Sequence, residues 1–207
     1  SAFDRLFELQ PSLKRNLSLL QIATPSRDAI DAYSRLQAEL AGLVTAVNGR
    51  HGEADWTPIR YLNKGYGQHV LSGFYRVAKV GVVTPLHDGM NLVAKEYVAA
   101  QDPNDPGVLV LSKFAGAAKE LDAALLVNPN DIDDVARGIA RAVAMPIDER
   151  RQRWSGLMAK LRARTIHRWF ADFLSALESV PRNLSSENGR GPLLQLAASH
   201  SRSRQMH

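Results

Sequence analysis

The residue types best suited to chemistry stand in the segment 85–91, which reads Pro-Leu-His-Asp-Gly-Met-Asn. It follows the apolar run 80–84 and precedes a helical pattern, which predicts a turn between the carboxyl end of a strand and a helix that opens through Gly89. The first N–H groups of a helix lack partners within the helix, and the helix dipole is positive there, so this turn suits a phosphate. Asp88 has an alternative role as an N-cap that accepts a hydrogen bond from the first turn.

Two further charged residues are candidates, each with a simpler alternative. Glu96 lies more than two helical turns after Asp88, so spacing alone does not put both on one face, and spacing favours a solvated surface glutamate. Its neighbour Lys95 is expected to be solvated. Arg27 follows the apolar run 17–23 and could grip a phosphate with its planar guanidinium, or lie on the surface.

Motifs for several other chemistries are missing from the sequence. With no cysteine there is no thiolate metal site and no cysteine nucleophile, and neither a His-Glu-x-x-His nor a Gly-x-x-x-x-Gly-Lys-Ser/Thr segment occurs. The segment 65–67, Gly-Tyr-Gly, is too short for a dinucleotide fingerprint, and no Gly-x-Ser-x-Gly elbow supports a serine nucleophile. Neither a metal nor a cofactor is predicted.

Charge and hydropathy narrow the class of protein. The chain has 207 residues, of which 45% are apolar, 26 are Lys or Arg and 21 are Asp or Glu. Much of the excess lies in residues 181–207, a Ser-, Asn- and Arg-containing stretch without aromatic residues that is expected to be disordered, so nucleic-acid binding is not predicted. No apolar run could cross a membrane, and no signal-peptide pattern opens the sequence, so a cytoplasmic protein is expected.

Short apolar strands alternate with amphipathic helices along the chain. Strands are predicted at 17–23, 59–62, 80–84, 108–111 and 124–127, and helices at 3–9, 28–47, 70–78, 90–100, 132–144, 147–164 and 165–177, with a short helical piece at 116–121. Asn48-Gly49 is expected to end the long second helix. The alternation predicts an α/β fold with a doubly wound parallel sheet covered on both faces.

The run 82–101, Val-Val-Thr-Pro-Leu-His-Asp-Gly-Met-Asn-Leu-Val-Ala-Lys-Glu-Tyr-Val-Ala-Ala-Gln, resembles the signature of the trehalose-6-phosphate synthases of glycosyltransferase family 20. Matching segments at 21–27, 47–50, 56–62, 107–118 and 126–129 extend the resemblance over about residues 3–180. It implies the GT-B fold, in which two Rossmann-like domains enclose a cleft, and this chain resembles the C-terminal, donor-binding domain alone. The implied domain is 1–180, closed by a helix at about 165–178 and followed by the tail 181–207.

The implied reaction is the transfer of glucose from UDP-glucose to glucose 6-phosphate with retention of configuration, giving trehalose 6-phosphate. Asp88, the catalytic candidate, would bind hydroxyl groups of the donor glucose. The backbone of Gly89, Met90 and Asn91, with Leu92 behind them, would meet the sugar and the diphosphate. No residue would act as a nucleophile, because the family is thought to react by front-face attack with the leaving phosphate oxygen taking the acceptor proton.

Three further positions match residues that bind substrate in this family. Glu96 would hold the ribose hydroxyls, Tyr66 would lie beside the uracil, and Arg27 would grip the phosphate of glucose 6-phosphate. His87 stands where the family usually has arginine, and the Arg and Lys that clamp the diphosphate would precede the first residue. The isolated chain, without these residues and without the N-terminal domain, is therefore expected to be inactive.

Other functions remain open from the sequence. Acceptor choice depends mainly on the other domain, so the resemblance equally fits glucosylglycerol-phosphate synthase of the same family, which uses glycerol 3-phosphate. A non-catalytic nucleotide-sugar-binding subunit or a truncated relic is a further alternative. A homo-oligomer is compatible with all of them.

Overall fold

The computed structural model describes residues 1–23 and 31–179, with backbone alone at 31–34, 166, 167 and 169. The strands are β1 (Leu19–Ile22), β2 (Ile59–Leu62), β3 (Val80–Val83), β4 (Val108–Ser112) and β5 (Leu125–Val127). The helices are α1 (Ala2–Leu9), α2 (Asp31–His51), α3 (Gln68–Val77), α4 (Leu92–Ala100), α5 (Ile132–Val143), α6 (Ile147–Ala163) and α7 (Ile166–Ser179). Short 3₁₀ turns occupy Pro11–Leu13 and Gly116–Lys119.

Every strand pair in the described part of the chain is parallel. β1 pairs with β2, while β4 lies between β3 and β5 in a second ladder. Val83, the last residue of β3, is opposite Leu111, so the chain leaves β3 and β4 at the same edge of the sheet. The turns that follow these two strands are therefore neighbours.

Helices cover both faces of the β3–β4–β5 ladder, as predicted for a doubly wound fold. Along β4, Val108 and Val110 pack into the apolar cluster that contains residues of α1 and α5. Leu109 and Leu111 point into the other cluster, with residues of α4 and α6. A strand buried on both faces needs apolar side chains at successive positions, which explains the continuous run Val-Leu-Val-Leu.

Helix α2 does not end where the sequence predicts. Asn48-Gly49 is a common helix terminus, yet α2 continues to His51. The Asn48 side chain is instead bonded to strand β2: Nδ2 donates to the carbonyl of Ile59 and Oδ1 accepts its N–H, both at 2.9 Å. This asparagine joins α2 to β2, a long-range contact that a local helix-stop pattern does not reveal.

The chain divides into two compact units, residues 1–165 and 166–207. All strands and the candidate site described below lie in the first unit. In the second, α7 covers nearly the range predicted for the closing helix, and Arg168 and Asp172 form an ion pair along it. Among the described helices, none combines the length and the hydropathy that a membrane span requires.

Candidate functional site

The turn after β3 leads into α4 two residues later than the sequence predicts. The helix begins at Leu92, and Asn91 is its N-cap, with Oδ1 accepting the N–H of Ala94 at 2.9 Å. Asn91 has a φ of 74°, in the left-handed region that asparagine tolerates better than most residues. An asparagine here therefore meets two local demands, the cap and the backbone conformation.

Asp88 is not the N-cap that the sequence offers as its alternative role, because it lies a turn too early. Its carboxylate instead closes the turn: Oδ1 accepts the N–H of Met90 at 3.0 Å, and Oδ2 accepts Nδ2 of Asn91 at 2.9 Å. These hydrogen bonds stabilise the charged carboxylate and lower the pKa of Asp88 below its usual value. Asp88 is therefore ionised and fixed in direction at neutral pH.

Three N–H groups of this turn have no hydrogen-bond acceptor among the described residues. Gly89, Leu92 and Val93 donate to no acceptor within residues 1–23 and 31–179, whereas the N–H of Met90 is used by Asp88. They lie where the positive end of the α4 dipole adds to their own partial charges. The turn thus presents a carboxylate for hydroxyl groups next to free donors for an anion.

A second segment holds this turn from outside. Beyond the end of β4, Gly116 N donates to the carbonyl of Asp88 at 2.8 Å, and Ala117 N donates to the carbonyl of Met90 at 2.7 Å. A Cβ on Gly116 would lie 2.0 Å from the carbonyl oxygen of Gly89, so only glycine fits against the turn. The turn is consequently braced by the segment that leaves the neighbouring strand.

Glu96 lies in a groove between α3 and α4 of about 420 Å³. The residues that line the groove with it are Gln68, Ser72, Gly73, Arg76, Ala99 and Ala100. The half-buried Glu96 carboxylate makes no hydrogen bond or ion pair with any residue that the structure describes. Asp88 does not line this groove, so the structure places the two carboxylates at separate positions along one loop-and-helix unit rather than in one pocket.

Tyr66 lies just before α3, the helix that forms the other wall of the groove. Its half-buried ring packs edge-on against Phe74, with ring centroids 5.5 Å apart, and Lys64 Nζ is 5.8 Å from the centroid of the Tyr66 ring. The ring is thus supported from one side by the helix. Met90 and Leu92 are 46% and 59% exposed, so their side chains are available to a ligand.

The predictions for Arg27 and Lys95 are not confirmed by the structure. Arg27 lies outside the described residues. Lys95 was expected to be solvated, which is wrong: its ammonium group is half-buried and forms an ion pair with Glu120 at 2.8 Å, and Arg164 contacts the same carboxylate at 3.3 Å. The partner is distant in sequence, so local spacing could not reveal the pair.

Gly116 and Glu120 are the residues near the site that the sequence analysis missed. The only signal for Gly116 is the small-residue run Ala-Gly-Ala-Ala at 115–118, shortly after a strand, a composition that permits close backbone approach. Elsewhere, a cavity of about 430 Å³ lies beside β5 and includes Arg137, Arg141 and Arg153 in its lining. Within the described ranges, no three His, Asp or Glu side chains are grouped to hold a metal ion.

Comparison with known proteins gives one consistent result. The model of the family described as "Glycosyltransferase family 20" matches residues 1–179. The chain is 51% identical over 176 residues to the trehalose-6-phosphate synthase of Sinorhizobium fredii, and 49% identical over 186 residues to that of an Enterobacter species. These matches cover 85% and 89% of this chain but only 38% and 39% of the relatives, so the chain spans well under half of their length.

Solved structures agree with this result. An α,α-trehalose-phosphate synthase (UDP-forming) from Burkholderia xenovorans in complex with glucose-6-phosphate superposes with a TM-score of 0.83 at 51% identity, over 86% of this chain and 39% of that one. An E. coli structure bound with UDP-2-fluoro glucose gives the same TM-score at 44% identity, over 86% of this chain and 40% of that one. The chain is therefore a member of glycosyltransferase family 20, and it aligns with well under half the length of these relatives.

Proposed function

We propose that this chain is the donor-binding half of a retaining glucosyltransferase, which transfers glucose from UDP-glucose to glucose 6-phosphate and yields trehalose 6-phosphate and UDP. The observation that carries the proposal is the turn after β3, where the fixed carboxylate of Asp88 adjoins the free N–H groups of Gly89, Leu92 and Val93. A sugar diphosphate offers hydroxyl donors for the carboxylate and anionic oxygens for the N–H groups. One ligand therefore satisfies both halves of the turn.

The nucleoside part of the donor is assigned to the groove between α3 and α4. Neither carboxylate oxygen of Glu96 is bonded to a residue that the structure describes. Both oxygens can therefore accept hydrogen bonds from the two vicinal hydroxyls of a ribose. Tyr66, just before α3, supplies an aromatic face to the base while Phe74 supports its ring. The donor would thus run along the N-terminal half of α4, with its glucose towards Asp88.

The donor-binding half contributes to the reaction by stabilising the leaving diphosphate. As the bond between the glucosyl carbon and the phosphate oxygen breaks, negative charge grows on the diphosphate, and N–H groups at a helix start oppose that charge without having to reorganise. The acceptor attacks the same face of the glucosyl carbon, and its hydroxyl proton passes to the departing phosphate oxygen. No side chain of this chain is used as a nucleophile.

Glucose 6-phosphate is assigned as acceptor because the relatives named above are trehalose-6-phosphate synthases, one of them in complex with that sugar phosphate. In this proposal Arg27 grips the acceptor phosphate, and an N-terminal GT-B domain completes the acceptor site.

Calorimetric titration of the chain with UDP-glucose tests the proposal. We expect the parent to bind UDP-glucose in preference to ADP-glucose and GDP-glucose, and we expect Asp88→Ala and Glu96→Ala each to weaken binding about tenfold or more, the usual cost of removing a charged hydrogen-bonding partner. Glu39→Gln, a change at an exposed residue of α2, is the matched control and should bind as the parent does. Parent-like binding by both site variants would refute the assignment of the site.

A further inference from the structure

The turn that carries Asp88 is part of a hydrogen-bonded ladder that continues beyond the ends of β3 and β4. Asp88 and Ala115 form an isolated parallel bridge, and the N–H groups of Gly116 and Ala117 donate to the carbonyls of Asp88 and Met90. Both strands have ended before these contacts begin. Sheet pairing therefore extends into the loops at the edge where the donor is proposed to bind.

This ladder fixes the direction of the groups on the opposite side of the turn. In a trans peptide the carbonyl and the following N–H point in opposite directions, and the described peptide bonds include no cis bond. Because the carbonyl of Asp88 faces Gly116, the N–H of Gly89 must face away from it. Likewise the carbonyl of Met90 faces Ala117, so the N–H of Asn91 points away from Ala117 and towards the Asp88 carboxylate, whose pKa it helps to lower.

The ladder can form only because residue 116 has no side chain. A Cβ there would lie 2.0 Å from the carbonyl oxygen and 2.7 Å from the carbonyl carbon of Gly89. Both are backbone atoms, so no rotamer change relieves the overlap, and the turn itself must move. Space is the reason for glycine at this position, since none of the described glycines has a positive φ.

We infer that Gly116 and Ala117 are positioning residues for the donor site: they hold the turn so that the free N–H of Gly89 and the Asp88 carboxylate face the glucosyl diphosphate. This inference rests on the proposed function. It goes further by assigning the two ends of the donor molecule to different sets of residues. The glucosyl-phosphate end depends on the ladder, whereas the nucleoside end depends on Glu96 and Tyr66, which the ladder does not contact.

The variant Gly116→Ala tests this separation, with binding of UDP-glucose and of UMP measured by titration followed by NMR. We expect the affinity for UDP-glucose to fall about tenfold or more, since the turn must move and its hydrogen bonds to the charged diphosphate are lost. The affinity for UMP should stay within about twofold of the parent value. Ala117→Pro removes the N–H group that donates to the carbonyl of Met90 and adds no Cβ against Gly89. It should give the same selective loss of UDP-glucose affinity, and it replaces Gly116→Ala in the test if that variant does not fold.

Gly107→Ala is the matched control, because it creates a similar overlap at the opposite end of β4. Its Cβ would lie 2.1 Å from Oη of Tyr97 and 2.6 Å from the carbonyl oxygen of Ala78. It should lower the melting temperature while leaving the ratio of the two affinities unchanged.

The outcomes separate the two proposals. If the parent binds UMP but not UDP-glucose, or binds neither, the proposed function fails and the inference falls with it. If the parent binds both and Gly116→Ala and Ala117→Pro lose both affinities in parallel, or neither, the proposed function stands and the positioning role is refuted.

Discussion

Nδ2 of Asn91 donates to Oδ2 of Asp88 at 2.9 Å while Oδ1 of Asn91 caps α4 at the N–H of Ala94. One amide thus connects the carboxylate to the helix start, and a positive φ lets it do so. The orientation of Asp88 is therefore set by the beginning of α4.

Replacing Asn91 should separate its role as the N-cap of α4 from its role in adopting a left-handed backbone conformation. Asn91→Ala loses the cap and the bond to Asp88 and keeps an unfavourable left-handed φ, which should lower the free energy of unfolding by about 1–3 kcal/mol. Asn91→Gly tolerates that φ and should cost less. Urea denaturation measures both, and an alanine variant as stable as the glycine variant would contradict the assigned backbone role.

The Lys95–Glu120 pair should make stability depend on pH in a defined direction. The hydrogen bond from Lys95, with help from Arg164, lowers the pKa of Glu120 below 4.5 in the folded protein. A lowered folded-state pKa contributes stability above the unfolded value, and that contribution is lost as the pH falls through the folded value.

We therefore expect Glu120→Gln to lower the free energy of unfolding at pH 7 by about 1–2 kcal/mol, the range between an exposed and a buried ion pair. The difference from the parent should shrink as the pH falls below about 4.5, the ordinary glutamate value. Glu39→Gln is the control and should match the parent across this range. A difference for Glu120→Gln that stays constant with pH would show that the pair is not its source.

Tyr66 should contribute to nucleotide affinity through its ring rather than its hydroxyl group. Tyr66→Ala removes the aromatic face beside the proposed base and should weaken UMP binding by about 1–2 kcal/mol, within the range measured for bases stacked on aromatic side chains. Tyr66→Phe keeps the ring and its packing on Phe74, and should bind nearly as the parent does. Titration of both variants checks this, and equal losses would assign the role to the hydroxyl group instead.

The isolated chain should bind the donor without transferring it. It spans 38% of its Sinorhizobium relative, and the proposed acceptor site requires a second domain. We expect no UDP release above background from UDP-glucose with either glucose 6-phosphate or glycerol 3-phosphate. Release that depends on either acceptor would show that this half alone supports transfer.

Local pattern predicted the strands, most helices and the turn that carries Asp88, because periodicity and the apolar run of β3 are local properties. The errors have another origin. Helix α2 continues past Asn48, whose side chain bonds to Ile59, and Lys95 is paired with Glu120. Both contacts join separate elements, which a local pattern does not reveal. The brace on Asp88 from Gly116 was missed for the same reason.

Amide chemical-shift mapping of the ¹⁵N-labelled chain with UDP-glucose tests the central proposal most directly. We predict that the largest changes fall on Gly89, Met90, Asn91 and Leu92 and on the groove residues around Glu96, with little change at Arg137 and Arg141 beside β5. Changes confined to the β5 cavity, or no saturable change, would contradict donor binding at the turn after β3.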